Sequence, residues 1–197
     1  MTKALFIIDV QNDFTEGGAL GVEGGAALAS NVTKYLNANK SAYAHVFASR
    51  DWHDANSDNG GHFALEGEPN YVTTWPVHCV AGTPGAEYHP ALKLDADTIH
   101  IKKGQGVPAY SIFEGTAEDG SSVADKLQEL GIDEVDVVGI ATDYCVRASA
   151  MDAIDHGQEV RVLTDLVAGV AKESSEHALE ELGHAGAAIV ESKSLDK

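Results

Sequence analysis

The sequence predicts an α/β fold of three layers, in which a six-stranded and mostly parallel sheet carries helices on both faces. Two observations support this prediction. Short apolar runs recur along the chain, and stretches with helical periodicity separate them, which is the order found in βαβ units. The length of 197 residues favours one domain over 1–197, because a chain of this size can bury a substantial core without dividing.

The elements follow in order along the chain. Ser122 and Asp125 resemble a capping box, and Gly131 and Gly157 follow helical stretches as stop signals. The stretch 51–95 shows neither helical nor strand periodicity, so we expect a long loop there. Loops of this length in a compact domain usually carry function. The strands are expected at 4–10, 43–50, 98–102, 135–140, 159–163 and 187–190. The helices are expected at about 25–37, 122–130, 143–156 and 174–182.

The composition excludes several classes of function. A formal charge of −18 opposes binding to nucleic acids and anionic membranes, and no apolar stretch is long enough to span a bilayer. The N-terminus lacks the pattern of a signal peptide, so we expect a cytoplasmic protein. The two cysteines, Cys79 and Cys145, are then expected to be free thiols. Parallel α/β enzymes of this size often self-associate, so a homo-oligomer stays open.

Cys145 is the first candidate for a reactive group. The apolar run 135–140 is followed by Ala141, Thr142 and Asp143, a sequence typical of a buried strand that turns sharply into a helix. A thiol near the start of a helix lies close to free backbone N–H groups and the positive end of the helix dipole, which favour the thiolate. This position predicts a nucleophile rather than an apolar filler.

Further polar groups follow the other predicted strands. Asp9 ends the first, Asp51 and His53 follow the second, and Lys102 and Lys103 follow the third. Ligands of an open parallel sheet bind outside the carboxyl ends of its strands, so we expect these groups and Cys145 at one edge.

Each group also has an ordinary explanation. Asp9 fits a buried cap, and Lys103 alone fits a solvated lysine. Lys102 should alternate to the other face of the sheet, so only one of the two lysines can point into a shared site. Together these groups could carry out acyl transfer through a thioester, with Cys145 as the nucleophile, the Asp9 carboxylate as the general base and the Lys103 ammonium offsetting the negative charge. Backbone N–H groups of the turn from Ala141 to Cys145 could then hold the oxyanion.

The long loop region contains residues suited to a metal ion. One carboxylate and three imidazoles suit Zn²⁺, Fe²⁺ or Mn²⁺, although imidazole-rich loops also occur without a metal. Asp54, Asp58 and Cys79 are rival ligands nearby. The aromatic side chains close to these groups are either core residues or walls for a small planar substrate. The metal candidates are Asp51, His53, His62 and His78, and the aromatic candidates are Phe14, Trp75 and Tyr110.

The chain resembles the isochorismatase-like cysteine hydrolases, and within that family the branch that hydrolyses nicotinamide. The matching segments run in order at 8–14, 51–53, 75–86, 103–104, 110–113 and 138–146. The resemblance implies a parallel six-stranded α/β fold, and it implies hydrolysis of nicotinamide to nicotinate and ammonia with side activity on pyrazinamide. The implied setting is salvage of nicotinamide toward NAD.

The resemblance also assigns roles by position. Asp9, Lys103 and Cys145 match the family's catalytic triad, and the Ile140–Ala141 peptide matches one that is cis. The remaining matches are Asp51, His53, His62 and His78 as ligands of one divalent metal ion, the backbone N–H groups of Ala141 and Cys145 as the oxyanion hole, and Phe14, Trp75 and Tyr110 as contacts to the substrate ring.

Two departures and two rival functions remain at this stage. The stretch between His53 and His62 looks longer than in many relatives, and Tyr144 stands where some nicotinamidases carry His.

One rival is a related cysteine amidohydrolase that acts on a carbamoyl or ureido substrate and usually lacks this histidine cluster. The other is a non-catalytic metal-binding protein on the same fold. The ether-cleaving branch of the family does not need the nucleophile, so Cys145 argues against it.

Overall fold

The protein is described here by a computed structural model that covers residues 1–195. The last two residues of the domain predicted over 1–197 lie outside this range, and the assignment of one domain stays a prediction. The strands are β1 (Thr2–Ile8), β2 (His45–Asp51), β3 (Ile99–Lys103), β4 (Thr116–Ala117), β5 (Ile132–Ile140), β6 (Glu159–Ala168) and β7 (Ala188–Val190). The α-helices are α1 (Gly25–Ala38), α2 (Val123–Glu129), α3 (Arg147–Asp155) and α4 (Lys172–Ala185).

All seven strands belong to one sheet, in the order β4-β3-β2-β1-β5-β6-β7. Every neighbouring pair is parallel except β3 and β4. The predicted α/β class and the mostly parallel sheet are therefore confirmed, but six strands was one too few. The extra strand, β4, has two residues, and a run this short cannot show the alternation by which strands are recognised in a sequence.

The central strand shows how the layers form. In β1, Ala4, Phe6 and Ile8 belong to one apolar cluster and Leu5 and Ile7 to the other, because successive side chains of a strand point to opposite faces. The first cluster includes residues of α2, α3 and α4, and the second includes residues of α1. Helices therefore cover both faces, and β1 is buried from residue 4 onward.

Several predicted boundaries shift, and two of the shifts bear on the site. The first strand ends at Ile8 rather than residue 10, because Asp9 adopts a positive φ of 47° and leaves the extended conformation. The predicted helix at 143–156 begins as a π-helical turn, Thr142–Val146, and becomes α-helical at Arg147. The helix predicted at 174–182 is longer at both ends, and the strand predicted at 159–163 extends to Ala168.

The long region after β2 is irregular, as predicted, but it is anchored to the sheet edge. A short 3-10 helix, Pro84–Ala86, lies within it, and isolated bridges pair His53 with Val80 and Phe63 with Trp75. The first bridge returns the loop to the segment that directly follows β2, and the second joins two parts of the loop to each other. Further 3-10 turns occur at Asn12–Phe14, Lys40–Ala42, Ile112–Glu114 and Ser192–Leu195. Within residues 1–195, no helix has the length and apolar character needed to cross a membrane.

Candidate active site

Cys145 lies in the π-helical turn that follows β5. The Ile140–Ala141 peptide before it is cis, as the resemblance implied. The Ala141 carbonyl accepts hydrogen bonds from the amides of Tyr144 and Val146, each at 3.0 Å. These bonds fold the chain tightly around Cys145, whose side chain borders a cavity although only 7% of the residue is exposed.

Lys103 joins Cys145 to two carboxylates from neighbouring strands. Its Nζ lies 2.9 Å from Oδ2 of Asp9 and 3.8 Å from Sγ of Cys145, and it also forms an ion pair with Oδ1 of Asp51. The lysine is 1% exposed, so the solvated position considered for it is wrong. Lys102 follows the expected alternation, since its Nζ lies 4.4 Å from the centroid of the Trp52 ring. Asp9, Lys103 and Cys145 therefore meet in space.

The pKa shifts of these three groups do not favour the thiolate that the sequence predicted at Cys145. Burial raises the pKa of the Cys145 thiol well above its usual range, and the opposing effect of Lys103 is smaller. Burial likewise raises the pKa of Asp9 against the pull of Lys103, so this carboxylate is a better proton acceptor than an exposed one. Burial alone would lower the pKa of Lys103, but Asp51 and Asp9 together raise it well above normal. These shifts favour the protonated thiol of Cys145 and the charged ammonium of Lys103 beside a carboxylate of raised basicity.

Two polar side chains that the sequence did not single out hold these carboxylates in place. The Ser49 hydroxyl donates to Oδ1 of Asp9 at 2.7 Å, and the Asp9 amide donates back to Ser49 Oγ at 3.3 Å. The side chain of Gln11 donates to the Asp51 carbonyl and accepts from the Asp51 amide, each at 2.9 Å, as the peptide group of a neighbouring strand would. Both residues are fully buried, so the positions of Asp9 and Asp51 are fixed from outside the reactive group.

Three imidazoles lie together beside Asp51. Ring nitrogens of His53, His62 and His78 lie within 4.8 Å of one another, and all three residues are buried. Oδ2 of Asp51 is 3.6 Å from Nε2 of His53 and 3.8 Å from Nε2 of His78. The loop thus closes on the carboxylate as expected, and His62, whose spacing departed from that of many relatives, lies in the same cluster as the other two.

The hydrogen bonds of this cluster fit a metal ion. His53 Nδ1 is 2.6 Å from the Gly104 carbonyl and His78 Nδ1 is 2.7 Å from the Pro76 carbonyl, which leaves Nε2 of each ring as the free ligand atom. His53 Nε2 and His62 Nδ1 are buried without a hydrogen-bond partner. Burial lowers the pKa of His62 to about 4, so this ring is neutral and has a lone pair to offer.

The rival ligands considered from the sequence are separate from this cluster. Asp54 and Asp58 are exposed, and Cys79 is buried, with its Sγ 4.0 Å from the Gly85 carbonyl. Among residues 1–195, the three histidines are the group of side chains with mutual spacing suited to a metal.

A cavity of about 400 Å³ lies against both the thiol and the imidazoles. Cys145, Asp51, His62 and His78 contribute to its lining, and so do the predicted aromatic residues Phe14, Trp75 and Tyr110. Trp75 Nε1 donates to the Tyr110 hydroxyl at 2.9 Å, which joins two of these rings into one wall. Cys145, two of the clustered imidazoles and the predicted aromatic side chains thus face the same space.

Comparisons with known proteins agree with this arrangement. A family model described as the isochorismatase domain matches residues 3–194. The chain belongs to the isochorismatase family. A nicotinamidase/pyrazinamidase of Mycobacterium tuberculosis is 50% identical over 188 residues, which cover 95% of this chain and 98% of that protein. The predicted family is confirmed, and with it the prediction of an enzyme that hydrolyses amides.

Solved structures of this family are similar over the whole described fold. The pyrazinamidase of Pyrococcus horikoshii, in complex with zinc, superposes with a TM-score of 0.84 at 40% identity, covering 97% of this chain and 99% of its own. PnC1 from L. infantum, in complex with nicotinate, gives a TM-score of 0.81 at 34% identity, covering 98% and 93%.

Several residues that line the cavity were not assigned to it from the sequence, and Tyr144, Tyr71 and Val170 are examples. Tyr144 lines the cavity, with its ring 5.2 Å from that of Trp75 and nearly perpendicular to it. Its position next to Cys145 was the available signal. Tyr71 and Val170 also line the cavity. Both stand in irregular segments outside the matching motifs, so no sequence pattern marks them.

Gly104 supports the metal cluster through its lack of a side chain. A Cβ at this position would lie 2.5 Å from Cε1 of His53, and φ is +78°. We expect Gly104→Ala to push the His53 ring out of place and to weaken zinc binding about 10- to 100-fold, the usual cost of disturbing a group that orients a ligand. Competition with a fluorescent zinc chelator measures this change.

Gly120→Ala is the matched control. Gly120 has a similar φ of +84°, but a Cβ there would meet nothing within 4 Å. It therefore carries the same backbone penalty without the collision. Equal zinc affinity in the two variants would contradict the role given to Gly104.

Proposed function

We propose that this enzyme hydrolyses nicotinamide to nicotinate and ammonia through a thioester on Cys145, with pyrazinamide as a second substrate. One observation carries the proposal: Lys103 Nζ lies 2.9 Å from Asp9 and 3.8 Å from Cys145 at the wall of an aromatic cavity that also borders three imidazoles. The nicotinamidase and pyrazinamidase relatives support the substrate.

The residues would divide the chemistry as follows. Asp9 takes the thiol proton as general base, and Cys145 attacks the carboxamide carbon. Backbone N–H groups of Ala141 and Cys145 stabilise the oxyanion. Asp9 then gives its proton to the leaving nitrogen, which departs as ammonia. It next removes a proton from the water that attacks the thioester, and it returns this proton to the sulfur of Cys145 as the acid is released. Lys103 stays charged throughout and offsets the negative charge that Asp9 and the sulfur share in turn.

A bound Zn²⁺, Fe²⁺ or Mn²⁺ would supply a Lewis-acid contact for the ring nitrogen of the substrate. Asp51, His53, His62 and His78 would hold the ion. Phe14, Trp75 and Tyr110 would enclose the ring, since aromatic faces pack well against a flat heteroaromatic substrate and exclude water from the thiol.

The direct test is a panel of amides incubated with the purified protein. We expect ammonia and the matching acid from nicotinamide and pyrazinamide, and a kcat/KM for benzamide lower by about 100-fold or more, because benzamide lacks the ring nitrogen that the site is built to bind. Enzymatic ammonia detection and chromatography of the acids measure both products. Elemental analysis of the same preparation identifies the metal.

Two outcomes would contradict the proposal. Ammonia release from a carbamoyl or ureido amide without turnover of nicotinamide would assign the chain to that branch of cysteine amidohydrolases. A folded, metal-loaded protein that released ammonia from none of the amides would favour a non-catalytic metal-binding role.

The wider setting that we propose is salvage of nicotinamide toward NAD in the cytoplasm.

A further inference from the structure

Asp143 links the turn that carries Cys145 to the segment between β6 and α4. Its Oδ1 accepts a hydrogen bond from the Val170 amide at 3.0 Å, and its Oδ2 accepts from the Ala171 amide at 3.2 Å and from the Ser174 hydroxyl at 2.6 Å. One carboxylate two residues before the nucleophile thus binds three donors of a segment that is distant in sequence.

Val170 makes this link relevant to the cavity. Its side chain lines the same cavity as Cys145 and Tyr144, yet 57% of the residue is exposed. A valine so exposed gains little from burial, so apolar packing does not explain where it stands. The hydrogen bonds from its own amide and from that of Ala171 to Asp143 are the contacts that fix its backbone against the nucleophile turn.

The neighbouring residue shows that the segment fits closely. A Cβ on Gly169 would lie 1.8 Å from Ser175 Oγ and 3.2 Å from Cβ of Thr142. Ser175 Oγ in turn donates to the Ala171 carbonyl at 2.6 Å. Residues 169–171 are therefore packed between the first turn of α4 and the nucleophile turn, and a displacement of this segment would change the cavity wall.

The geometry points to Val170 as a residue that selects among substituted rings, and to Asp143 as the positioning residue that sets it there. The inference rests on the proposed function. With the ring nitrogen at the metal cluster and the carboxamide at Cys145, C5 is the one ring carbon that is bonded to neither the ring nitrogen nor the carbon that carries the carboxamide. A half-exposed wall residue is suited to contact substituents on this free side, and the chemical class it would select is 5-alkyl pyridine-3-carboxamides.

The test compares kcat/KM for nicotinamide with kcat/KM for 5-methylnicotinamide and 5-ethylnicotinamide. We expect Val170→Ala to raise the ratio of substituted to unsubstituted substrate by about 10-fold, and Val170→Phe to lower it, because one methylene in an apolar pocket changes discrimination by this order. A ratio that stays at the wild-type value in both variants would overturn the selectivity role.

Asp143→Ala tests the positioning role. We expect it to raise KM for nicotinamide more than it lowers kcat, and to shift the selectivity ratio in the direction of Val170→Ala. In the double variant the ratio should equal that of Val170→Ala alone, because Asp143 acts through Val170. Independent, additive effects of the two substitutions would refute this coupling. Asp143→Asn, which keeps one oxygen acceptor, replaces the alanine variant if that one does not fold.

Asp165 offers a matched control away from the cavity. Its carboxylate makes the same kind of contact, accepting from the Ser192 amide at 2.7 Å and from the Ser192 hydroxyl at 2.5 Å. Asp165→Ala should cost a similar fall in Tm and leave KM and the ratio unchanged. A ratio shifted as far in Asp165→Ala as in Asp143→Ala would mean that general destabilisation, and not Val170, is responsible. Absence of nicotinamide turnover in the wild-type protein would count against the proposed function instead.

Discussion

Replacing Cys145 with alanine is expected to lower kcat for nicotinamide by at least about 10⁴-fold, the order seen when a covalent nucleophile is removed. The loss should be confined to chemistry. The side chain is small, and its polar neighbours Asp9 and Lys103 keep each other as an ion pair at 2.9 Å. Ammonia release measures the activity, while circular dichroism and elemental analysis show whether the fold and the metal persist.

Cys79 provides the control, because it is the second free cysteine and is fully buried. Its φ of 46° is already borne by a residue with a Cβ, so Cys79→Ala adds no backbone strain. We expect this variant to keep its activity. Cys79 is fully buried whereas Cys145 lines the cavity, so iodoacetamide should label Cys145 in the native enzyme and leave Cys79 unmodified. Normal turnover by Cys145→Ala would end the proposed mechanism.

Replacing Lys103 with methionine should have the largest effect on stability. The variant leaves the carboxylates of Asp9 and Asp51 buried side by side without their shared cation. Breaking a buried ion pair by removing one partner costs about 3–5 kcal/mol of unfolding free energy. Activity should fall by about 10³-fold or more as well, because the charge that offsets Asp9 and the sulfur is gone. Urea unfolding and ammonia release measure the two effects.

The adjacent lysine gives a matched comparison. Lys102→Met makes the same substitution one residue away, on the other face of the sheet, where the ammonium lies 4.4 Å from the Trp52 ring centroid. Losing this contact should cost about 1 kcal/mol or less, and turnover should be retained. If both variants had the same unfolding free energy and the same activity, the buried ion pair would not have the importance given to it here.

The convergence of the site could be predicted because parallel strands constrain it. Asp9, Asp51, Lys103 and Cys145 each stand at or just beyond the carboxyl end of a strand, and the apolar runs locate those ends within about two residues. Once the strands are parallel neighbours, residues at their ends must lie at one edge. The alternation of side chains then limited the site to one of Lys102 and Lys103, and the family resemblance identified Lys103.

The remaining features depend on tertiary packing that periodicity does not report. Val170, for example, is held at the cavity by a hydrogen bond from its amide to Asp143, which lies 27 residues earlier in the chain. The two residues of β4 are a strand only because β3 pairs with them. A thiolate at Cys145 was expected from its place near a helix start, but burial, which a sequence does not show, raises its pKa and has the larger effect.

Asp51 has one oxygen in an ion pair with Lys103 and the other facing His53 and His78. Attempts to re-engineer the enzyme for another cation at this position would therefore disturb the hydrolytic machinery as well, since Lys103 would keep only Asp9 of its two anionic partners. The three histidines do not combine a place in the metal cluster with an ion pair to Lys103. Substitutions that change the preferred metal ion are therefore better placed at the histidines, because each oxygen of Asp51 already has its own partner.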